Sequence, residues 1–280
     1  MRRNIFMLKA QGAKLFLSTL MIVLFATFAS PALAGITGME VVYSDVTFGH
    51  SSYTNLDTVL GEIKRDTGSN YVVTPWNCPW QTSEITIISS GTLTVKMSDA
   101  VFVTDDSMEL GIYTAQMYNL QTGAFMNSNM GATISVSENG EDWVALNGGN
   151  PTSLNTPSLG YQFPGNAWPN LSHWEGSLGD LEETDLYKPF DPSGISDWLD
   201  TTAVLEAYGD SAGGNWFDLS GTGLDYIQYV KLDDIYATGS AWTTGLRIDG
   251  FVGVSAVPVP GAVWLLGSGL LGLIGIRRRS

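Results

Sequence analysis

Thr133-Ile134-Ser135-Val136-Ser137-Glu138-Asn139-Gly140-Glu141-Asp142-Trp143-Val144-Ala145-Leu146 is the stretch that decides the fold class. Ile134 and Val136 alternate with Thr133, Ser135 and Ser137, the period of two that sets one strand face on a core and the other toward water. Asn139-Gly140 supplies a tight reversal, and Asp142 to Leu146 runs back, so a hairpin is predicted with Trp143 in the core. The same alternation recurs in Thr92 to Met97, where Leu93, Val95 and Met97 share a face. Tyr226 to Leu232 reads as another strand, and Leu246, Ile248, Val252 and Val254 as one side of a last strand. Helix is scarce. Only Ser193 to Ala207 fits, with Ile195, Trp198, Leu199 and Leu205 on a stripe and Gly209 beyond. Many short strands joined by Gly and Asn turns predict an all-β, antiparallel β-sandwich with long loops. The longest loop, Asn147 to Leu186, is rich in Gly, Asn, Pro and Ser, and loops of that length are functional or disordered.

The two ends of the chain read differently. Arg2, Arg3, Lys9 and Lys14 precede an apolar run from Leu15 to Phe28, and Ala32-Leu33-Ala34 offers a small-residue cleavage site before Gly35. That order predicts a secretory signal peptide over residues 1–34, cut between Ala34 and Gly35; an uncleaved anchor is the plainer alternative. Residues 257–280 hold Val257, Pro258 and Pro260, an uncharged stretch to Ile276, and then Arg277, Arg278 and Arg279. Gly261 to Ile276 would extend roughly 24 Å as a helix, a short transmembrane span. The arginines would stop transfer and stay on the cytoplasmic side. A buried core helix is the competing reading, against which the terminal arginine cluster argues.

The tail resembles the PEP-CTERM sorting signals of Gram-negative bacteria that make exopolysaccharide, in the variant reading Val-Pro-Leu-Pro-Ala before Val-Trp-Leu-Leu-Gly-Ser-Gly-Leu-Leu-Gly-Leu. Val257, Pro258, Pro260 and the run Val263 to Leu273 match; Val259 and Gly261 depart from it, and the Pro-Glu-Pro of the larger family is absent. The resemblance implies recognition by an exosortase after export by the secretion machinery. A stage anchored in the inner membrane would be followed by cleavage near the prolines and release to the outer surface or extracellular matrix.

Between the ends, residues 35–256 form the predicted extracytoplasmic domain. All 28 acidic residues lie there with only six of the 13 basic ones, giving this body a formal charge of −22. Such a charge excludes a basic nucleic-acid surface and suits cations or solubility. Cys78 is alone, so no intramolecular disulfide forms; the thiol is either buried or available to a second chain. Chemistry-bearing motifs are sparse. There are two histidines, His50 and His173, and no nucleophile elbow, zinc helix or P-loop, so the chain is read as a non-enzyme. Eight of nine tryptophans belong to the body. Trp168, Trp174 and Trp216, set among Gly, Pro and Asn, are candidate platforms for sugar rings, with loop packing as the alternative.

The strand order also resembles galactose-binding-like jelly rolls related to the discoidin, or F5/8 type C, group. The resemblance rests on Ile134 to Trp143, on Gly213-Gly214-Asn215-Trp216-Phe217-Asp218-Leu219 followed by Ile227 to Leu232, and on Ile248 to Val254. It implies a jelly-roll fold and, as an option, a structural Ca²⁺ near the acids Asp191, Asp197, Asp210 and Asp218, with Asp191 and Asp218 as ligands. No cofactor is required, and a solvated acidic face is the other reading. The expectation is an exported structural or adhesive protein of the cell surface or exopolysaccharide matrix that binds carbohydrate. A polysaccharide-acting extracellular hydrolase is the rival.

Overall fold

The computed structural model describes residues 33–65, 72–77, 81–105, 107–126, 129–162, 181–238 and 245–256. The leader to residue 32, the sorting segment from Val257, the predicted transmembrane helix and Cys78 lie outside them. No helix among the described residues is long and apolar enough to cross a membrane. Gly35–Ser255 form one compact unit, and the description that follows concerns it alone.

The hairpin is present. Strands β6 (Asn129–Ser137) and β7 (Val144–Ala145) pair through Ser135 with Ala145 and Val136 with Val144. Their turn is held by side chains. Ser137 Oγ accepts from the Gly140 N–H at 2.9 Å, and Asn139 Oδ1 accepts from Glu141 and Asp142 at 2.8 and 2.9 Å. Gly140 sits at φ +80°, where an L side chain is strained. The register corrects the expectation for Trp143. Val144 pairs with core-facing Val136, so Trp143 falls on the opposite face, half-buried, with Lys231 Nζ 4.7 Å from its ring centroid.

The remaining strands are β1 (Leu33–Phe48), β2 (Thr86–Phe102), β3 (Leu110–Thr114), β4 (Tyr118–Asn119), β5 (Ala124–Phe125), β8 (Thr152–Ser153), β9 (Asn215–Phe217), β10 (Tyr226–Thr238) and β11 (Leu246–Ala256). Together with β6 and β7, seven of these make one nine-stranded antiparallel sheet in the order β7-β6-β10-β2-β1-β11-β3-β9, with β8 also on β6; β4 and β5 form a separate hairpin. The protein is mostly β, as expected. The departure is that two facing sheets are replaced by a single curled one, a half-barrel. Its cause lies in strand length: β2 pairs with β10 along Leu93 to Phe102 and with β11 along Thr86 to Ile88, so one strand serves both walls. Register shifts in β1, β10 and β11 supply the bends. Gly91, φ +112°, pairs in register with Val46 and lies so close to β1 that a Cβ would fall 2.0 Å from the Asp45 carbonyl oxygen.

The curled sheet encloses a core of Leu93, Val95, Ile112, Ile134, Val136, Val230, Leu232, Ile248 and Phe251, drawn from five strands. A second cluster covers the outer face of β3, β9 and β11, where Tyr113, Trp216, Val252 and Val254 meet Ile63, Trp76, Phe190, Val204 and Tyr208. Strand β11 therefore does not present Leu246, Ile248, Val252 and Val254 on one side. A register shift between Ile248 and Gly250 reverses its faces, sending Leu246 and Ile248 inward with Phe251 and leaving Val252 and Val254 to the second cluster.

The predicted helix is shorter than expected. Pro192–Gly194 is a 3-10 turn, and helix α1 covers Thr201–Tyr208. Asp191 and Asp197 each accept a backbone N–H two residues on, from Ser193 at 2.9 Å and Leu199 at 2.8 Å, and these local bonds compete with helix. Asp200 caps α1 by accepting from Ala203 N, and Gly209 ends it at φ +56°. The buried residues are Val204 and Tyr208, while Leu199 is 50% exposed.

Candidate functional site

The hairpin β4–β5 is built around one asparagine. Asn119 Oδ1 accepts from the N–H groups of Gln121 and Thr122 at 2.8 and 3.1 Å, and its carbonyl accepts from Gly123 at 2.9 Å. The turn places Tyr118 against Phe125, ring centroids 5.1 Å apart and edge to face. Trp198 stacks on Tyr118 at 6.1 Å and meets Phe125 edge-on at 5.1 Å, and Trp76 donates its indole N–H to the Trp198 carbonyl at 3.0 Å. Tyr118 N also donates to the Pro75 carbonyl at 2.8 Å, so the hairpin and the Trp76 loop are tied together. Beside this cluster opens a cleft of about 240 Å³ lined by Trp76, Met117, Tyr118, Asn119, Leu120 and Gln121. Its walls are aromatic and aliphatic, with the side-chain amides of Asn119 and Gln121 among the lining residues.

A second cleft, of about 430 Å³, is lined by Ser107, Met108, Pro189, Phe190, Asp191 and Asp218. It brings together the two aspartates singled out as calcium ligands. Hydrogen bonds from Ser193 hold the Asp191 carboxyl below the usual range, and hydrogen bonds from Ser220 do the same for Asp218. Both are exposed carboxylates, and no group of three His, Cys, Asp or Glu side chains able to hold a metal occurs among the described residues. Of the other two acids near the Gly-rich segment, Asp197 caps a turn and Asp210 pairs with Lys188. Close by, Glu109 joins two loops. Its Oε1 accepts from Thr104 N at 2.9 Å and Ser107 Oγ at 3.3 Å, and its Oε2 accepts from Leu219 N at 3.0 Å.

The tryptophans named from sequence divide. Trp168 and Trp174 lie outside the described residues, as does His173. Trp216 is 9% exposed, donates its indole N–H to the Gly213 carbonyl at 2.7 Å and closes on Gly111 so tightly that a Cβ there would sit 3.1 Å from the ring. Enclosed on these sides, it packs the second cluster and leaves no open face for a ligand. Gly35 is exposed at the start of β1, under the Tyr187 ring, and Ile36 beside it is already buried. Ala34 falls within β1. His50 Nδ1 accepts from Ser52 N at 3.1 Å, and its ring meets Tyr53 edge-on. Sequence reasoning missed Tyr118, Gln121 and Phe125; the available signal was an Asn-x-x-x-Gly turn between two aromatics.

The sequence model of the PEP-CTERM protein-sorting motif matches residues 256–279. No curated protein matches the chain. The C-terminal segment, with Val257, Pro258, Pro260 and Arg277 to Arg279 in it, is thus a sorting motif. It marks the chain for processing by an exosortase and for delivery to the cell surface or extracellular space.

Proposed function

We propose that this chain is a structural or adhesive component of the bacterial cell surface or exopolysaccharide matrix, and that its body holds carbohydrate at the aromatic cleft of Trp76, Tyr118 and Gln121. The sorting motif at residues 256–279 carries the destination. A signal peptide cut at Ala34 and Gly35 starts export, and residues 257–280 hold the chain in the inner membrane until cleavage, with Arg277, Arg278 and Arg279 inside. Support for the sugar reading is the cleft itself: apolar walls, an amide-bearing mouth and a volume suited to one ring. Trp168 and Trp174 on the long loop are read as further contacts. The body is read as a distant galactose-binding-like jelly roll whose two walls have merged into one curled sheet, and Ca²⁺ is proposed at the Asp191 and Asp218 cleft.

Two measurements test this reading. Mass spectrometry of cell-surface material is expected to find a mature C-terminus near Pro258 and Pro260. On a glycan array, the protein is expected to bind, and Tyr118→Ala, Gln121→Ala and Trp174→Ala each to reduce binding roughly 5- to 30-fold, the loss of a stacked ring or of an amide hydrogen bond being worth about 1–2 kcal/mol. An intact C-terminus on secreted material would overturn the sorting pathway. Release of sugar from matrix polysaccharide by the purified protein would overturn the non-enzymatic reading in favour of a hydrolase.

A further inference from the structure

Asp249 stands where β11 changes faces, between Ile248, which pairs with Thr114, and Gly250, which pairs with Tyr113. Its side chain is 3% exposed, and neither carboxyl oxygen has a hydrogen-bond partner. Segment 56–65 closes over this point. A Cβ at Gly250 would fall 2.5 Å from Ile63 Cδ1 and 3.5 Å from the Val59 carbonyl oxygen. The segment is fixed at its far end, where Arg65 donates from Nη2 to the Thr184 carbonyl at 3.1 Å and pairs with Glu62 and Glu183. Nearer the start, Gly61 N donates to the Gly38 carbonyl at 2.8 Å.

The groups that face Asp249 come from each packed element. Lys64 lies on the segment, and its backbone N–H points toward the carboxyl without completing a hydrogen bond; Glu84 leads into β2, and Tyr113 belongs to β3. Arg247, two residues back on β11, directs Nη1 to Met126 Sδ at 3.2 Å. Among the described residues no ion pair reaches Asp249. A carboxylate in that setting has lost water and gained no direct ion pair, the Lys64 ammonium acting on it only from beyond contact.

We propose that Asp249 is a proton-operated latch: with its proton it lets segment 56–64 seal onto β11, and without it the carboxylate draws toward water and the segment lifts about its Arg65 anchor. Burial pushes the closed-state carboxyl up to about 8, with the Glu84 charge adding to the rise and the Lys64 N–H and ammonium opposing it. Once lifted, the group has the ordinary aspartate value near 3.8. The sign follows from that pair. The seal is complete below the open-state value, weakens about tenfold per pH unit as pH rises, and stops weakening above the closed-state value.

Amide hydrogen exchange on the full-length chain tests the latch, with Gly61 as the probe and the opening constant corrected for the intrinsic exchange rate. From pH 5 to pH 7 the opening constant is expected to rise roughly 100-fold and to level off above about 8. Asp249→Asn is expected to give a flat profile, and Glu84→Gln, which removes the facing negative charge, to bring the plateau to lower pH. An opening constant independent of pH in the wild type, or an unchanged slope in Asp249→Asn, would overturn the latch. If Asp249→Asn does not fold, the wild-type and Glu84→Gln profiles decide the matter, and an unmoved plateau in Glu84→Gln counts against it.

Discussion

Replacing Glu109 by Gln removes one of two acceptor oxygens at a site where both are used. Glu109 is 1% exposed, and its carboxylate takes Thr104 and Ser107 on one oxygen and Leu219 on the other. An amide can keep one set only. With its carbonyl toward Thr104, its NH₂ faces the Leu219 N–H, donor against donor. A hydrogen bond to a carboxylate is worth about 1.5–3 kcal/mol, and a buried donor left alone costs about 1–3 kcal/mol, so a net loss of about 2–4 kcal/mol is expected. For a domain of this size each kcal/mol moves Tm by about 2–4 °C, which gives a fall of roughly 4–16 °C. Thermal unfolding followed by circular dichroism reads it. The loop tie is local, so the Leu219 amide should also lose exchange protection before the core strands do. A Tm within about 2 °C of wild type would show that Glu109 does not hold residues 104–109 to Leu219, and the reasoning would fail.

Gly131→Ala places a Cβ 2.0 Å from the Thr152 carbonyl oxygen, and because backbone must move, destabilisation toward the upper end of about 1–3 kcal/mol is expected in denaturant titration. For the proposed calcium site, Ca²⁺ is expected to raise Tm in the wild type and not in an Asp191→Asn, Asp218→Asn double variant; no Ca²⁺ response in the wild type would remove the proposal. Deleting residues 257–280 is expected to send the body into the medium on fractionation, and unchanged surface retention would count against the tail as the sorting element.

Much of the sheet was legible because it is local. Alternation in Thr92 to Met97 and Thr133 to Val136 predicts strands with Leu93, Val95, Met97, Ile134 and Val136 inward, and all five are fully buried. Trp143 shows where locality ends: which face it takes depends on the pairing of Val144 with Val136, a property of the loop between them. In β11 the alternation alone carries straight through Asp249-Gly250, where a register shift inverts it. Of the aromatic cleft only the Asn119-to-Gly123 turn had a local signature, since Trp76 and Trp198 meet across 122 positions. The same holds for Asp249, buried where segment 56–65 packs on the adjoining Gly250 and where Lys64 and Glu84, far from it in sequence, face it.

Strand β11 ends at Ala256, the residue at which the sorting motif begins. The last described hydrogen bonds of the sheet therefore lie within two residues of the sorting motif. A pull on that end runs along β11, whose rungs to β3, Val252 with Gly111 and Gly253 with Leu110, stand across the line of force together with the Val254 N–H on the Glu109 carbonyl. Rungs that stand across a pull share it, so a lengthwise load on β11 is met by several hydrogen bonds at once.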